Sequence, residues 1–371
     1  MDLAFFEEFL SFGDDTTPFM MLVWILPIIF FVFYGQQIQL YISANQIKKH
    51  ISNLKTYRDE TRKELISHIR ENAKTSSDPA SRIGLIIDYF SIMPIDMDPA
   101  GIVPKVRHLV RSREEHTREQ IKRIDPKMSE LEQSRVQTLA EVASSLHLVY
   151  RIVNHLYLTA KKQKNFPMIL PLQMMLPFLM EEAKALRDSV PAFKMGQPVG
   201  DGIGPMVVGK MMLGLEKREV AFQTVCASTK MDERRVHLLK AKGPLSSVGR
   251  MGDAVEGILG QEKIDAIIMI DAALKMEGEE SASVSRGFGA AIGGVGIERF
   301  QIEEVATRNN IPIYAVVIKE TVGEAITLMT KDVAMQAGNV SQQVREMITE
   351  TAPAGGSVIV IGVGNTVGVS Q

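Results

Sequence analysis

The sequence predicts an α/β chain: a transmembrane helix and a helical region, then a C-terminal parallel-sheet domain. Three features carry that reading. Residues 16–47 hold no charged side chain, and residues 18–34 within them are almost wholly apolar. Residues 37–195 are dominated by helix-period patterns. Most of the 28 glycines fall after residue 195, where short β-rich runs alternate with helical ones. Alternation of that kind builds a parallel sheet covered on both faces.

The apolar run, Pro18-Phe-Met-Met-Leu-Val-Trp-Ile-Leu-Pro-Ile-Ile-Phe-Phe-Val-Phe-Tyr34, is read as a helix crossing a lipid bilayer over residues 18–36. At about 1.5 Å per residue its core reaches roughly 25 Å, and the uncharged residues that follow complete a span of about 30 Å. A cleaved signal peptide would carry a basic leader, whereas Glu7, Glu8, Asp14 and Asp15 precede this run. Lys48, Lys49, Lys55, Arg58, Arg62 and Lys63 lie on its C-terminal side. Positive charge stays inside, so residues 1–36 are the outer N-terminus and span of a single-pass cell-membrane protein, and the C-terminal bulk is cytoplasmic.

Residues 37–75 form a helical neck. Leu40, Ala44, Ile47, Ile51, Leu54, Arg58, Thr61, Leu65 and His68 recur at alternating spacings of four and three. That seam suits either a parallel coiled coil joining protomers of a homo-oligomer or one long helix lying on its own domain. Ser76-Ser-Asp-Pro79 breaks the helix, and residues 76–195 read as a helical domain. Within it, residues 128–160 open with Glu130 and Glu132 and close with Lys161, Lys162 and Lys164, complementing the helix dipole. Residues 166–180 are apolar, carry three prolines and are too short to span, which fits either an interfacial element or a buried helix.

A net charge of -2 and a pI near 6.4 supply no basic face, so nucleic acid is excluded as a partner. The one cysteine, Cys226, rules out an internal disulfide framework. His147 and His155 lack a third ligand at helix spacing, so no metal and no cofactor is assigned.

In residues 196–371, strands are expected at 220–226, 235–239, 266–271, 313–318 and 357–361, with helices near 204–215, 248–260, 297–309 and 322–350. Ligands of such sheets gather beyond the carboxyl ends of the strands. That rule selects Asp271, which ends Asp265-Ala-Ile-Ile-Met-Ile-Asp271, and the loop Gly362-Val-Gly-Asn365.

Several segments together resemble the spore germination protease family, within a fold group that includes the hydrogenase maturation proteases. They are Asp265-Ala-Ile-Ile-Met-Ile-Asp-Ala-Ala-Leu274, Gly293-Gly-Val-Gly296 and Asn310-Ile-Pro-Ile-Tyr-Ala-Val-Val-Ile318. Gly200-Asp-Gly-Ile-Gly-Pro205 and Ile359-Val-Ile-Gly-Val-Gly-Asn365 match two further family segments in exchanged order, as a circular permutation would leave them. The whole chain also resembles an archaeal membrane-protein family known only as a domain of unknown function. The protease likeness implies a peptidase-like hydrolase in which Asp201 and Asp271 share acid–base work, with Gly293, Gly294, Gly296 and Asn365 lining the site. Two carboxylates in one low-dielectric cleft cannot both ionise easily, so one becomes an acid and the other a base. The substrate would be a peptide. Where the family continues Gly-Val-Gly with Asn and a basic residue, Ile297 and Glu298 stand here, and no histidine follows His237 to serve a metal. The glycine-rich loop alternatively suits a small anionic ligand bound through free backbone N–H groups. A scaffold role built on the neck and anchor is the third possibility.

Overall fold

A computed structural model describes residues 17–73, 78–89, 99–163, 166–291 and 297–370. The chain divides into two compact units, residues 1–53 with 151–178 and residues 54–150 with 179–371.

Helix α1 (Thr17–Asn72) has residues 17–53 in the first unit and 54–72 in the second and runs without a break through Pro27, so the expected span and neck are one helix. Among the described residues no helix is long and apolar enough to cross a membrane. The side chains of residues 17–23, 32, 33 and 36 and all of residues 1–16 lie outside the described set, as does much of the Ser76–Pro79 break. Of the residues described in the run, Trp24, Ile28 and Phe31 are exposed. The other helices are α2 (Pro79–Asp88), α3 (Pro99–Ile124), α4 (Glu130–Gln163) and α5 (Phe166–Met195). Helix α5 continues through the prolines of 166–180. Ile169, Leu172 and Leu176 are buried on one flank, and Leu170, Met174 and Phe178 are exposed on another.

The seam of α1 is filled within the chain. Ile47, Ile51, Leu54, Thr61, Leu65 and His68 are all buried. Two of its polar positions have partners close by: the His68 ring nitrogen lies 2.6 Å from Glu132, and the Arg58 guanidinium sits 4.3 Å over the ring of Tyr150. Of the two neck readings, the helix lying on its own domain accounts for these contacts.

In the second unit, a sheet of seven strands runs in the order β1-β2-β3-β7-β4-β6-β5. The strands are β1 (Arg218–Ala221), β2 (Thr224–Met231), β3 (Arg234–Ala241), β4 (Ala266–Leu274), β5 (Val284–Phe288), β6 (Ile313–Glu320) and β7 (Ser357–Gly362). The central β3, β7, β4 and β6 are parallel. The hairpin β1–β2 and the edge strand β5 are antiparallel, so the sheet is mixed where the sequence suggested an all-parallel one. The expected strand 220–226 is in fact that hairpin, turning at Phe222-Gln223.

Helices α7 (Met251–Leu259) and α8 (Ile297–Arg308) share a core with Leu239, Ile267, Met269, Ile359 and Ile361 on one face. Helices α6 (Ile203–Met211) and α10 (Lys331–Thr351) share the other with Val236, Leu238, Ile268, Ile270, Val316 and Ile318. A single turn, α9 (Val322–Ile326), precedes α10 and is closed by a capping box between Thr321 and Glu324. From β3 to β4 and from β4 to β6 the chain crosses by α7 and α8. From β6 back to β7 it crosses on the opposite face by α10. The crevice between the adjacent carboxyl ends of β4 and β7 is therefore where the winding reverses, the usual position of a binding site in an open α/β sheet.

Candidate functional site

The site is built where the segment entering α6 meets the ends of β6 and β7. Val199 bridges Leu328, Gly200 N–H donates to Thr327 C=O (3.2 Å) and Met329 N–H donates to Pro198 C=O (2.8 Å). These bonds pin the short 3-10 turn Gly200–Gly202, and with it Asp201, against the loop that follows Glu320. A Cβ on Gly200 would fall 2.0 Å from Glu320 Oε2, so only glycine admits this approach. From the other side, Gly364 at φ +130 passes so close that its Cβ would lie 1.8 Å from the Asp201 carbonyl oxygen.

Asp201 is half-buried, and its Oδ2 accepts the Asn365 backbone N–H at 2.7 Å. Burial pushes its carboxyl above the usual carboxylate range, and the Asn365 hydrogen bond opposes that rise. Glu320 is wholly buried, and neither of its carboxyl oxygens has a hydrogen-bond partner among the described residues. Burial first, then the negative charges of Asp201 and Glu324, push its carboxyl up to about 8. At neutral pH Glu320, with its carboxyl at about 8, is therefore mostly protonated.

The sequence paired Asp201 with Asp271. Asp271 is buried, and its Oδ1 accepts the Ala272 N–H at 2.8 Å. Its register partner is Val317, and its alternation along β4 places it with Met269 on the α7–α8 face. Glu320 alternates with Val316 and Ile318 onto the α6–α10 face. Asp271 and Glu320 therefore face opposite sides of the sheet, and Glu320 is a carboxylate neighbour of Asp201 that sequence reasoning missed. The signal was present in the same rule that chose Asp271, because Glu320 closes β6 at its carboxyl end.

Asn365 lies beside Asp201. Besides its backbone bond to Asp201, its side-chain Oδ1 accepts from Val367 N–H (2.9 Å) and from Ser246 Oγ (3.1 Å). Gly293, Gly294 and Gly296 lie outside the described residues. The loop that contains them starts at the other end of the sheet, where Gly289 N–H donates to Ile313 C=O at the amino end of β6. Among the described residues no group of acidic, histidine or cysteine side chains could hold a metal ion.

The molecule is thus of a definable class: a doubly wound α/β domain with a carboxylate pair at the carboxyl edge of its sheet, preceded by a helical N-terminal region. Residues 21–196 match the family described as protein of unknown function (DUF1512) N-terminal domain, and residues 199–370 match the one described as domain of unknown function (DUF1512) C-terminal. The chain belongs to this family. The junction of the two matched segments falls immediately before the turn that carries Asp201. No curated protein and no solved structure matches the chain.

Proposed function

We propose that this chain is a membrane-tethered hydrolase of peptide bonds, with Asp201 as general base and Glu320 behind it as the proton-holding partner. The observation that carries the reading is Glu320, buried, without a hydrogen-bond partner and set beside Asp201 at a glycine-only approach. A Glu320 carboxyl that is mostly protonated at neutral pH adds little negative charge beside Asp201 and leaves that residue to act as the base. Asp201 removes a proton from water as the water oxygen attacks the peptide carbonyl carbon. It returns that proton to the departing amine as the C–N bond breaks, so the carboxylate is regenerated. The likeness of residues 198–371 to a permuted germination protease supports the same reaction class, and the run 18–36 supplies the tether.

The test uses the full chain purified in detergent and presented with a mixed peptide pool. Asp201→Asn lowers kcat about 100-fold or more, the usual contribution of a general base. Glu320→Gln retains part of the activity and shifts its pH dependence. Asp271→Asn is the comparison: loss of cleavage there, with Glu320→Gln unaffected, would restore the Asp201–Asp271 pairing. Cleavage undiminished in all three variants would remove the hydrolase reading.

A further inference from the structure

A cleft of about 480 Å³ opens between α3, α4, the β1–β2 turn and the segment 246–250, and Asn365 lies in its wall. Its volume is within the range of small-molecule sites, and its lining is polar and charged in an ordered way. Glu114, Arg118 and Lys122 line it from one stripe of α3 at successive i, i+4 positions. Helix α4 follows α3 through a short connection, and at the end of the stripe marked by Glu114 it contributes Glu141. The Glu141 carboxylate accepts a hydrogen bond from Gln137 Nε2 (3.1 Å). Glu141 lies open to the cleft, yet the enclosing protein desolvates it and, with the nearby Glu114 charge, pushes its carboxyl up. Burial likewise pushes Glu114 up, against the pull of Arg250 and Arg118.

At the other end of the stripe the charge is positive. The guanidiniums of Arg118 and Arg250 rest 4.5 Å and 4.7 Å from the centroid of the same ring, Phe222. An aromatic face holds two cations from separate elements near one another, a cost that an arriving anion would offset. The remaining acid of the lining, Glu130, is 3.6 Å from Lys242. A simple anion would leave Glu114 and Glu141 facing it, and a simple cation would meet Arg118, Lys122 and Arg250. Only a ligand bearing both charges satisfies both ends.

We infer that the cleft is the substrate groove and takes a short peptide by its free termini, the ammonium at Glu114 and Glu141 and the carboxylate at Arg118 and Lys122. Helical rise places the Cα atoms of Glu114 and Lys122 about 12 Å apart. An extended peptide covers about 3.3–3.6 Å per residue, so the groove fits three or four residues. A hydrogen-bonded chain leads from its wall to the carboxylate pair. Ser246 N–H donates to Ser134 Oγ (3.0 Å), Ser246 Oγ donates to Asn365 Oδ1 (3.1 Å), and Asn365 N–H donates to Asp201 Oδ2 (2.7 Å). This assignment rests on the hydrolase reading for its chemistry, but the binding itself is separable.

The experiment measures binding of trialanine, of N-acetyl-trialanine amide and of inorganic diphosphate to the full-length Asp201→Asn chain in detergent, by calorimetry. Trialanine is expected to saturate one site, with the doubly capped peptide at least tenfold weaker. Glu114→Gln and Arg118→Gln each weaken trialanine at least tenfold, and the capped peptide compared on unaltered groove residues needs no further variant to fold. No saturation by trialanine, equal binding of the capped form, or saturation by diphosphate alone overturns the groove. Trialanine binding as expected, with no cleavage of any peptide by the unsubstituted chain, would leave the groove standing and overturn the hydrolase. Cleavage that survives both groove substitutions unchanged would do the reverse.

Discussion

Replacing Glu320 by glutamine removes its charge and keeps its volume, so the stability change of that variant reports the burial directly. In the unfolded chain this carboxyl titrates near 4.5, and in the fold near 8. The folded state therefore holds a proton between those values that the unfolded state has released. The contribution is fully present below pH 4.5 and is lost as the pH rises through about 8. Glu320→Gln is expected to stabilise the protein by on the order of 2–4 kcal/mol at pH 9 and by little at pH 4.5. Thermal unfolding of both chains across that range checks it, and a difference that does not grow with pH would mean that the group is solvated. Asp201 was reached through the family likeness of Gly200-Asp-Gly-Ile-Gly-Pro205, and Asn365 through the loop Gly362-Val-Gly-Asn365 that ends the last strand. Glu320 was passed over although the rule that chose Asp271 applied to it as well, because Lys319 ahead of it made the apolar run look finished at Ile318. Two further residues of strand, paired to Ala273 and Leu274, carry it into the site.

Between elements, the joint that holds α3 onto the sheet layer is a single charged network. Arg111 donates to both carboxylate oxygens of Asp253 on α7 (2.9 and 2.8 Å), and Gln301 of α8 bonds Asp253 and Glu256 (each 3.0 Å). Glu298 accepts the Gly252 N–H at 2.7 Å, near the start of α7. Arg111 and Asp253 are each about a third accessible, so water screens part of the attraction and the bidentate geometry is what gives it value. Arg111→Ala is expected to cost about 1–3 kcal/mol, seen as a Tm lower by several degrees. Because α3 carries Glu114 and Arg118, the same variant should also weaken trialanine binding; an unchanged Tm with unchanged binding would show that the joint is ornamental. None of this network was legible in the sequence, since its partners lie between 45 and 142 residues apart and follow no local period. The β1–β2 hairpin was hidden for a local reason. Its turn is Phe222-Gln223, with Gln223 at φ 48 and no glycine, asparagine or proline to mark it. The heptad seam was visible, but periodicity reports only that one face of a helix is covered. Whether the cover is a second copy or the same chain depends on contacts such as His68 with Glu132 and Arg58 with Tyr150.

At the scale of the molecule, one group of exposed apolar side chains lies in the first unit. In the unit of residues 1–53 and 151–178, Trp24, Ile28, Phe31, Leu170, Met174 and Phe178 are all exposed, a surface that water disfavours. Under the proposed membrane tether, a bilayer would cover it in one of two ways with different strengths. A spanning helix holds a protein against any aqueous wash, whereas an amphipathic face lying in the interface is reversible. Lys161 and Lys162 end α4 just before the apolar start of α5, so an anionic surface would draw the interfacial face toward lipid. The full chain is expected to stay in the membrane pellet after an alkaline carbonate wash. A chain lacking residues 1–36 should be released by that wash, yet still sediment with anionic vesicles at neutral pH and low salt. Replacing Leu170, Met174 and Phe178 by serine in the shortened chain should abolish that residual binding. Extraction of the full chain by carbonate would remove the spanning assignment. Residual binding that survives the triple substitution would remove the interfacial one.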